Sequence, residues 1–124
     1  MADREGHLRQ VERFEAFLKQ INTPTQTHRE WVIIVWFHIS LHYIDAFLAQ
    51  NGWDAVEGHS GRWSKMPSFA ETRALSQDFH RLYKDAKEAR YEGGEYTSLD
   101  LAPIEKRYLS IRTAMRKALR LSLA

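Results

Sequence analysis

An all-α fold is what this sequence predicts, in the form of an up-and-down four-helix bundle with one long loop between its second and third helices. Three observations predict it. Apolar residues recur at helical spacing in four separate stretches, while few segments alternate with the period of two that strands require. The stretch Trp31 to Gln50 is apolar all round in its first turns, as a helix surrounded by other helices must be. Capping boxes, an Asn-Gly pair, a Gly-Gly pair and prolines punctuate the boundaries between the stretches.

The first helix is expected over roughly Arg4 to Ile21, with Leu8, Val11, Phe14, Leu18 and Ile21 as its apolar stripe. Asn22-Thr23-Pro24 ends it, because proline cannot extend the hydrogen-bond ladder. The central helix begins at Thr27, where Thr27-x-x-Glu30 forms a capping box, and stops at Asn51-Gly52, a left-handed cap. Asn51 to Pro67 (NGWDAVEGHSGRWSKMP) has no periodicity and is expected to be a long loop. Loops of this length are usually functional or disordered, and Trp53, Trp63 and Met66 argue for packing rather than disorder. Ser68-x-x-Glu71 is a second capping box and opens a third helix to about Tyr91, with Leu75, Phe79, Leu82, Ala86 and Ala89 on its core face. Gly93-Gly94 ends it. The fourth helix is expected to carry Pro103 in its first turn behind Asp100 as cap, with Ile104, Tyr108, Ile111, Met115 and Leu119 as its seam. Lys106, Arg107, Arg112, Arg116, Lys117 and Arg120 make this the most basic segment.

At 124 residues the chain suits a single domain, 1–124, able to bury one core. A formal net charge of +2 is too small to single out nucleic acid as a partner. The absence of cysteine excludes disulfides, thiolate metal sites and cysteine nucleophiles. MADREGHLRQ at the start has no apolar core, so no secretory signal is expected. The apolar run Trp31–Phe37 is broken by His38 and is too short for a bilayer, so no membrane association and a cytoplasmic location are expected.

Chemistry is concentrated on one stripe of the central helix, where His38, His42 and Asp45 stack at i, i+4 and i+7. Polar groups there cost free energy unless paired. One reading is a metal site with His38 and His42 as ligands, since imidazoles at i and i+4 can share one ion, completed by His59 or His80. The other is that these groups bond neighbouring helices or line a polar seam or subunit interface. His59 and Arg62 lie in the glycine-bearing loop, where Arg62 can fork onto a phosphate or carboxylate or the loop can simply be pinned by its tryptophans. No catalytic triad order, phosphate-binding glycine signature or paired carboxylates appear, so no catalytic residue is assigned and no cofactor is expected.

WFHISLHYIDAFLA, His59-x-x-Arg62 and LYKDAKEARYE together resemble HEPN-type domain proteins across about Trp31 to Glu92. That resemblance implies an all-α up-and-down bundle, frequent homodimers, and roles linked to nucleotides or RNA. By matching position it implies a polar cluster of His42, Asp45, His59, Arg62, Arg90 and Tyr91, and leaves out His38. Ribonucleases of that superfamily carry Arg-x4–6-His. The fit within one predicted helix is Arg73 to His80, with Ala74 after the arginine, on a face shared with Gln77, Lys84 and Lys87. That face reads as solvated, so ribonuclease activity is not expected from it. The expected function is binding of a nucleotide, RNA or other anion. A metal-dependent bundle enzyme, a toxin–antitoxin-type interaction module docking a protein partner, and a ribonuclease stand as alternatives.

Overall fold

The protein is described from a computed structural model over residues 3–21, 26–53, 58–92 and 96–123, apart from the side chains at 26–27, 58–60, 91–92 and 98. All regular structure among these residues is helical. Asp3 caps α1 (Arg4–Leu18), its Oδ1 accepting from the Gly6 amide at 2.8 Å. The helix ends three residues short of the expected Ile21, and Asn22 to Pro24 lie outside the described residues. His7, Leu8 and Val11 are buried, and Phe14 and Leu18 half-buried against α2 (Gln26–Gln50). Gln26 is already helical, so Thr27 lies within α2 rather than at its cap.

From Val32 to Leu48 every residue of α2 except His38 and His42 is buried, so this helix forms the middle of the core. Between His28 and Gln50 it is long and apolar enough to cross a membrane, contrary to what Trp31–Phe37 alone predicts. Yet 83% of its most apolar window is buried by the rest of the chain. The core-helix explanation covers it. Its end is the expected one: Gly52 sits at φ 96°, Trp53 N–H donates to Leu48 O at 2.9 Å, and Gly52 N–H to Ala49 O at 3.1 Å.

The segment expected as loop and then one long helix is instead a staircase of short turns. α3 (Gly58–Lys65) lies where no periodicity was visible, and a 3-10 turn, Met66–Ser68, follows. α4 (Ala70–Arg73) and α5 (Ser76–Lys87) then divide what reads as a single helix. The Ser68–Glu71 capping box does not form: Phe69 occupies the N-cap of α4 with no side-chain cap bond. Local bonds win here. The buried Thr72 hydroxyl donates to the Met66 carbonyl at 2.6 Å, a contact that competes with helix propagation. Met66, Phe69 and Leu75 pin the turns, with Phe69 edge-on to Phe47 at 5.6 Å. Past the break the expected face holds: Leu75, Phe79, Leu82, Ala86 and Ala89 are all buried. A π-helical turn, Glu88–Glu92, continues α5.

α6 (Ser98–Ala118) starts earlier than expected. Thr97 is the cap and Asp100 its reciprocal partner, Thr97 N–H donating to Asp100 Oδ2 at 2.7 Å and Asp100 N–H to Thr97 Oγ1 at 3.3 Å. Pro103 therefore lies inside the helix, where it forfeits the bond its N–H would give Leu99. The seam Ile104, Tyr108, Ile111, Met115 and Leu119 is buried as expected. α1 packs on α2, α2 on α5 and α6, and α5 on α6.

α6 ends in the same pattern of bonds as α2, Leu121 N–H donating to Arg116 O at 2.8 Å and Arg120 N–H to Lys117 O at 3.1 Å. Here the left-handed residue is Arg120, at φ 59°. A side chain in that region costs about 1–2 kcal/mol that glycine does not incur. Arg120→Gly should therefore raise the thermal midpoint by about 2–5 °C. Gly52→Ala should lower it by a comparable amount through backbone strain alone, because a Cβ there meets nothing within 4 Å. Differential scanning calorimetry of the two variants checks the pair, and equal midpoints for both would contradict the assignment.

Candidate functional site

The polar stripe on α2 sends its three side chains to three different places. Asp45 turns toward α3. Arg62 Nε donates to Asp45 Oδ1 at 2.6 Å and Arg62 Nη2 donates to Asp45 Oδ2 at 2.8 Å, a two-pronged contact between groups only 5% and 3% exposed. Charges at that depth persist only when paired with good geometry, and the planar fork supplies it. Two donors of Arg62 are thus directed inward, so this arginine anchors α3 to the core instead of facing an outside anion.

His42 turns toward α1. Its Nδ1 lies 3.0 Å from Nδ1 of His7, a buried residue one turn before Val11 on the apolar face of α1. Phe14 stacks on both His42 and His38, ring centroids 5.9 Å apart in each case. Burial, first, and then the neighbouring His7 push the His42 imidazole down to about 4; Asp45 opposes this, while His38 and Arg62 add to it. At neutral pH His42 is therefore uncharged.

His38 turns toward the end of α5. With Ile34, Phe37, Tyr83, Ala86, Lys87 and Arg90 it lines a half-open cleft of about 210 Å³ between α2, α5 and the π turn. Phe37 and Tyr83 form an aromatic wall, their rings 5.7 Å apart, backed by Trp63 and Phe79. Lys87 and Arg90, both exposed, bring two cationic side chains to this cleft.

Of the expected cluster, His42, Asp45 and Arg62 are neighbours, whereas Arg90 faces the cleft that His38 shares. The side chains of His59 and Tyr91 lie outside the described part of the chain. Among the described residues no group of three or more His, Asp or Glu converges in a way that suits a metal ion. Arg73 and His80, which read as one helix, stand on α4 and α5; Arg73 Nη1 donates to Pro67 O at 3.4 Å, and His80 lies edge-on to Trp63 at 5.5 Å. The two residues therefore do not share the single helix that the sequence predicts for them.

Two features were missed in the sequence. His7 sits on the apolar stripe of α1, at i, i+4 and i+7 with Val11 and Phe14, a signal the sequence did carry. Tyr43 gave none, since it reads as one more apolar residue of α2. Its ring is fully buried but its hydroxyl donates to Glu15 Oε1 at 2.9 Å and accepts from Arg116 Nη1 at 2.8 Å. Arg112 Nη2 donates to Glu15 Oε2 at 3.4 Å. Glu15, Arg112 and Arg116 of this network line a groove of about 420 Å³ between α1 and α6, whose walls carry both signs of charge.

Compared with known proteins, the chain matches no family model, no curated protein and no solved structure. Function is therefore argued from these groups themselves.

The buried fork makes a strong prediction. Removing one member of such a pair leaves an unpaired charge, so Arg62→Ala or Asp45→Ala should each cost about 3–5 kcal/mol. Replacing both by apolar residues of similar volume, Asp45→Leu with Arg62→Met, should recover most of that loss. Urea unfolding of the three variants measures it. Losses under 1 kcal/mol in both single variants would show that the pair is not the anchor described here.

Proposed function

We propose that this chain is a HEPN-like bundle, its four long helices α1, α2, α5 and α6 running up and down, that binds an anionic ligand carrying an aromatic ring, such as a nucleotide or a short stretch of RNA. The observation that carries the reading is the cleft where His38, Lys87 and Arg90 meet the aromatic wall of Phe37 and Tyr83. Cations and stackable rings side by side are what phosphate and nucleobase together require. Size limits the ligand. At about 210 Å³ the cleft is smaller than the roughly 300–1,000 Å³ that encloses a drug-sized molecule, so it seats one base or one phosphate while the remainder lies outside.

Relative to the cluster expected from the sequence, this reading moves the ligand from Arg62 to Arg90 and Lys87. The Arg62 fork is directed at Asp45, and so it supports the wall without contacting the ligand. A second copy of the chain as partner remains part of the proposal through the sequence resemblance. The arrangement supports binding, and no reaction is assigned to it.

Titration with AMP, ADP, inorganic phosphate and a short oligouridylate, followed by thermal shift, tests the proposal. A ligand at 100 times its Kd stabilises the folded state by about 2.7 kcal/mol, which a melt resolves easily. The shift should vanish in Lys87→Ala/Arg90→Ala, read against that variant's own unliganded midpoint. It should also shrink as salt rises, as phosphate contacts demand. No shift with any of these compounds at low salt would remove the proposal.

A further inference from the structure

Two imidazoles whose Nδ1 atoms lie 3.0 Å apart impose a proton count. One ring must carry its proton on Nδ1 and donate; the other must present a bare Nδ1 and hold its proton on Nε2. A single extra proton is tolerated, because it can go to Nε2 of the donating ring and leave the shared hydrogen bond in place. A second extra proton has to occupy the accepting Nδ1. Two N–H groups then point at each other, the hydrogen bond is gone, and two positive charges face each other between packed helices.

We infer that the His7–His42 pair is an acid-sensitive latch holding the N-terminal turns of α1 against α2. Burial outweighs the compensation that the described surroundings offer the second proton. Among the described residues, the groups whose charge bears on His42 are His7 from α1, Asp45 and His38 from α2, and Arg62 from α3. The one carboxylate in that set is forked onto Arg62, so its charge is already balanced. Asp3, at the exposed α1 cap, accepts from the Gly6 amide and favours a charge on His7 weakly, from the solvent side. Phe14 stacks on His42 and adds no acceptor.

α1 meets the rest of the fold mainly through one helix. Its principal packing partner is α2, while Arg4, Glu5, Glu12 and Glu15 of α1 line the open groove toward α6. Near its start, Arg4 donates from Nε to Gln50 Oε1 at 2.8 Å and from Nη2 to Leu119 O at 2.9 Å, polar ties open to water. The buried attachment of these turns is His7, Leu8 and Val11. Loss of the imidazole contact therefore acts on a short buried strip.

The direction with pH follows from linkage. His42 in the folded protein takes its proton at about 4, below its ordinary value of 6.5. The folded state then binds fewer protons than the opened one. The latch is fully closed above about pH 6.5, and its contribution is lost as pH falls from there toward 4. Over that window the population with α1 released grows by up to about tenfold per pH unit for the one proton gained on opening.

The test is histidine-resolved NMR with native-state hydrogen exchange on the whole chain, from pH 7.5 to 4. At neutral pH one ring of the pair should show the Nδ1–H tautomer and the other the Nε2–H tautomer. As the second proton binds, exchange protection of the Leu8 and Val11 amides should fall relative to that of Ile111 and Met115 in α6. His42→Gln keeps a hydrogen-bonding side chain that does not titrate and should hold α1 protection level across the same range; His7→Gln removes the facing charge but leaves His42 buried, so the acid response should shrink and not vanish. Both rings in the Nε2–H tautomer would overturn the inference. So would α1 protection that follows α6 throughout, or an undiminished acid response in either variant. Should a variant fail to fold, the wild-type tautomers still decide the matter.

Discussion

A carboxylate at the middle of a helix that is buried on nearly every side must find a cation at hydrogen-bonding distance or give up its charge. Asp45 finds Arg62, and much of the structure follows from that demand. To deliver the guanidinium, the chain after Asn51 has to return over the C-terminal half of α2, and α3 forms where it does so. The short turns from Met66 to Arg73 then carry the chain across to α5, with Met66, Phe69 and Leu75 supplying the apolar contacts that keep α3 in place. Residues that look like a surface loop are thus a cover for a charge. The fork is an anchor because of its depth, not because ion pairs in general stabilise.

The same demand, met differently at the other two positions of the stripe, separates structural polarity from available polarity. His42 gains an imidazole partner on α1 and a phenylalanine lid, and it loses its ability to charge near neutrality. His38, one turn earlier, shares that lid on one side and opens onto a cleft on the other. A ligand can reach the second of these environments but not the first. The accessible polar groups are therefore His38, Lys87 and Arg90, although His42 and Asp45 are the more conspicuous residues. Phe14 touches both imidazoles.

How far the sequence could be read depended on the range of the interactions involved. The all-helical class, the buried faces of α1, α5 and α6, and the Gly52 cap were legible because each rests on contacts within a few turns or on one residue type. The seam Ile104–Leu119 is recognisable from spacing alone. The starts of α4, α5 and α6 were not. Ser68 and Asp100 both satisfy local capping rules, yet a Thr72–Met66 bond overrode the first and Thr97 took the cap at the second. Arg62 stood out as a candidate anion clamp, but its partner in the structure, Asp45, is 17 positions away, and spacing rules have no reach over that distance. His7 was readable in principle. A lone histidine on an apolar stripe reports a buried partner somewhere, without saying which helix provides it.

Tyr43 shows what such gaps conceal. Hydropathy treats it as core, and its ring is core, yet its hydroxyl lies between Glu15 of α1 and Arg116 of α6. Those two helices are therefore linked through a polar junction rooted in a residue of a third. Polar junctions exchange with water at little cost, whereas interdigitated apolar side chains do not. The consequence is an asymmetry within one small core. α5 and α6 meet α2 through apolar faces, while α1, which also packs closely on α2, adds an imidazole pair and a set of charged contacts. An element held in that manner responds to protons and salt more readily than its neighbours, and in this fold that element is the one whose Phe14 covers both imidazoles.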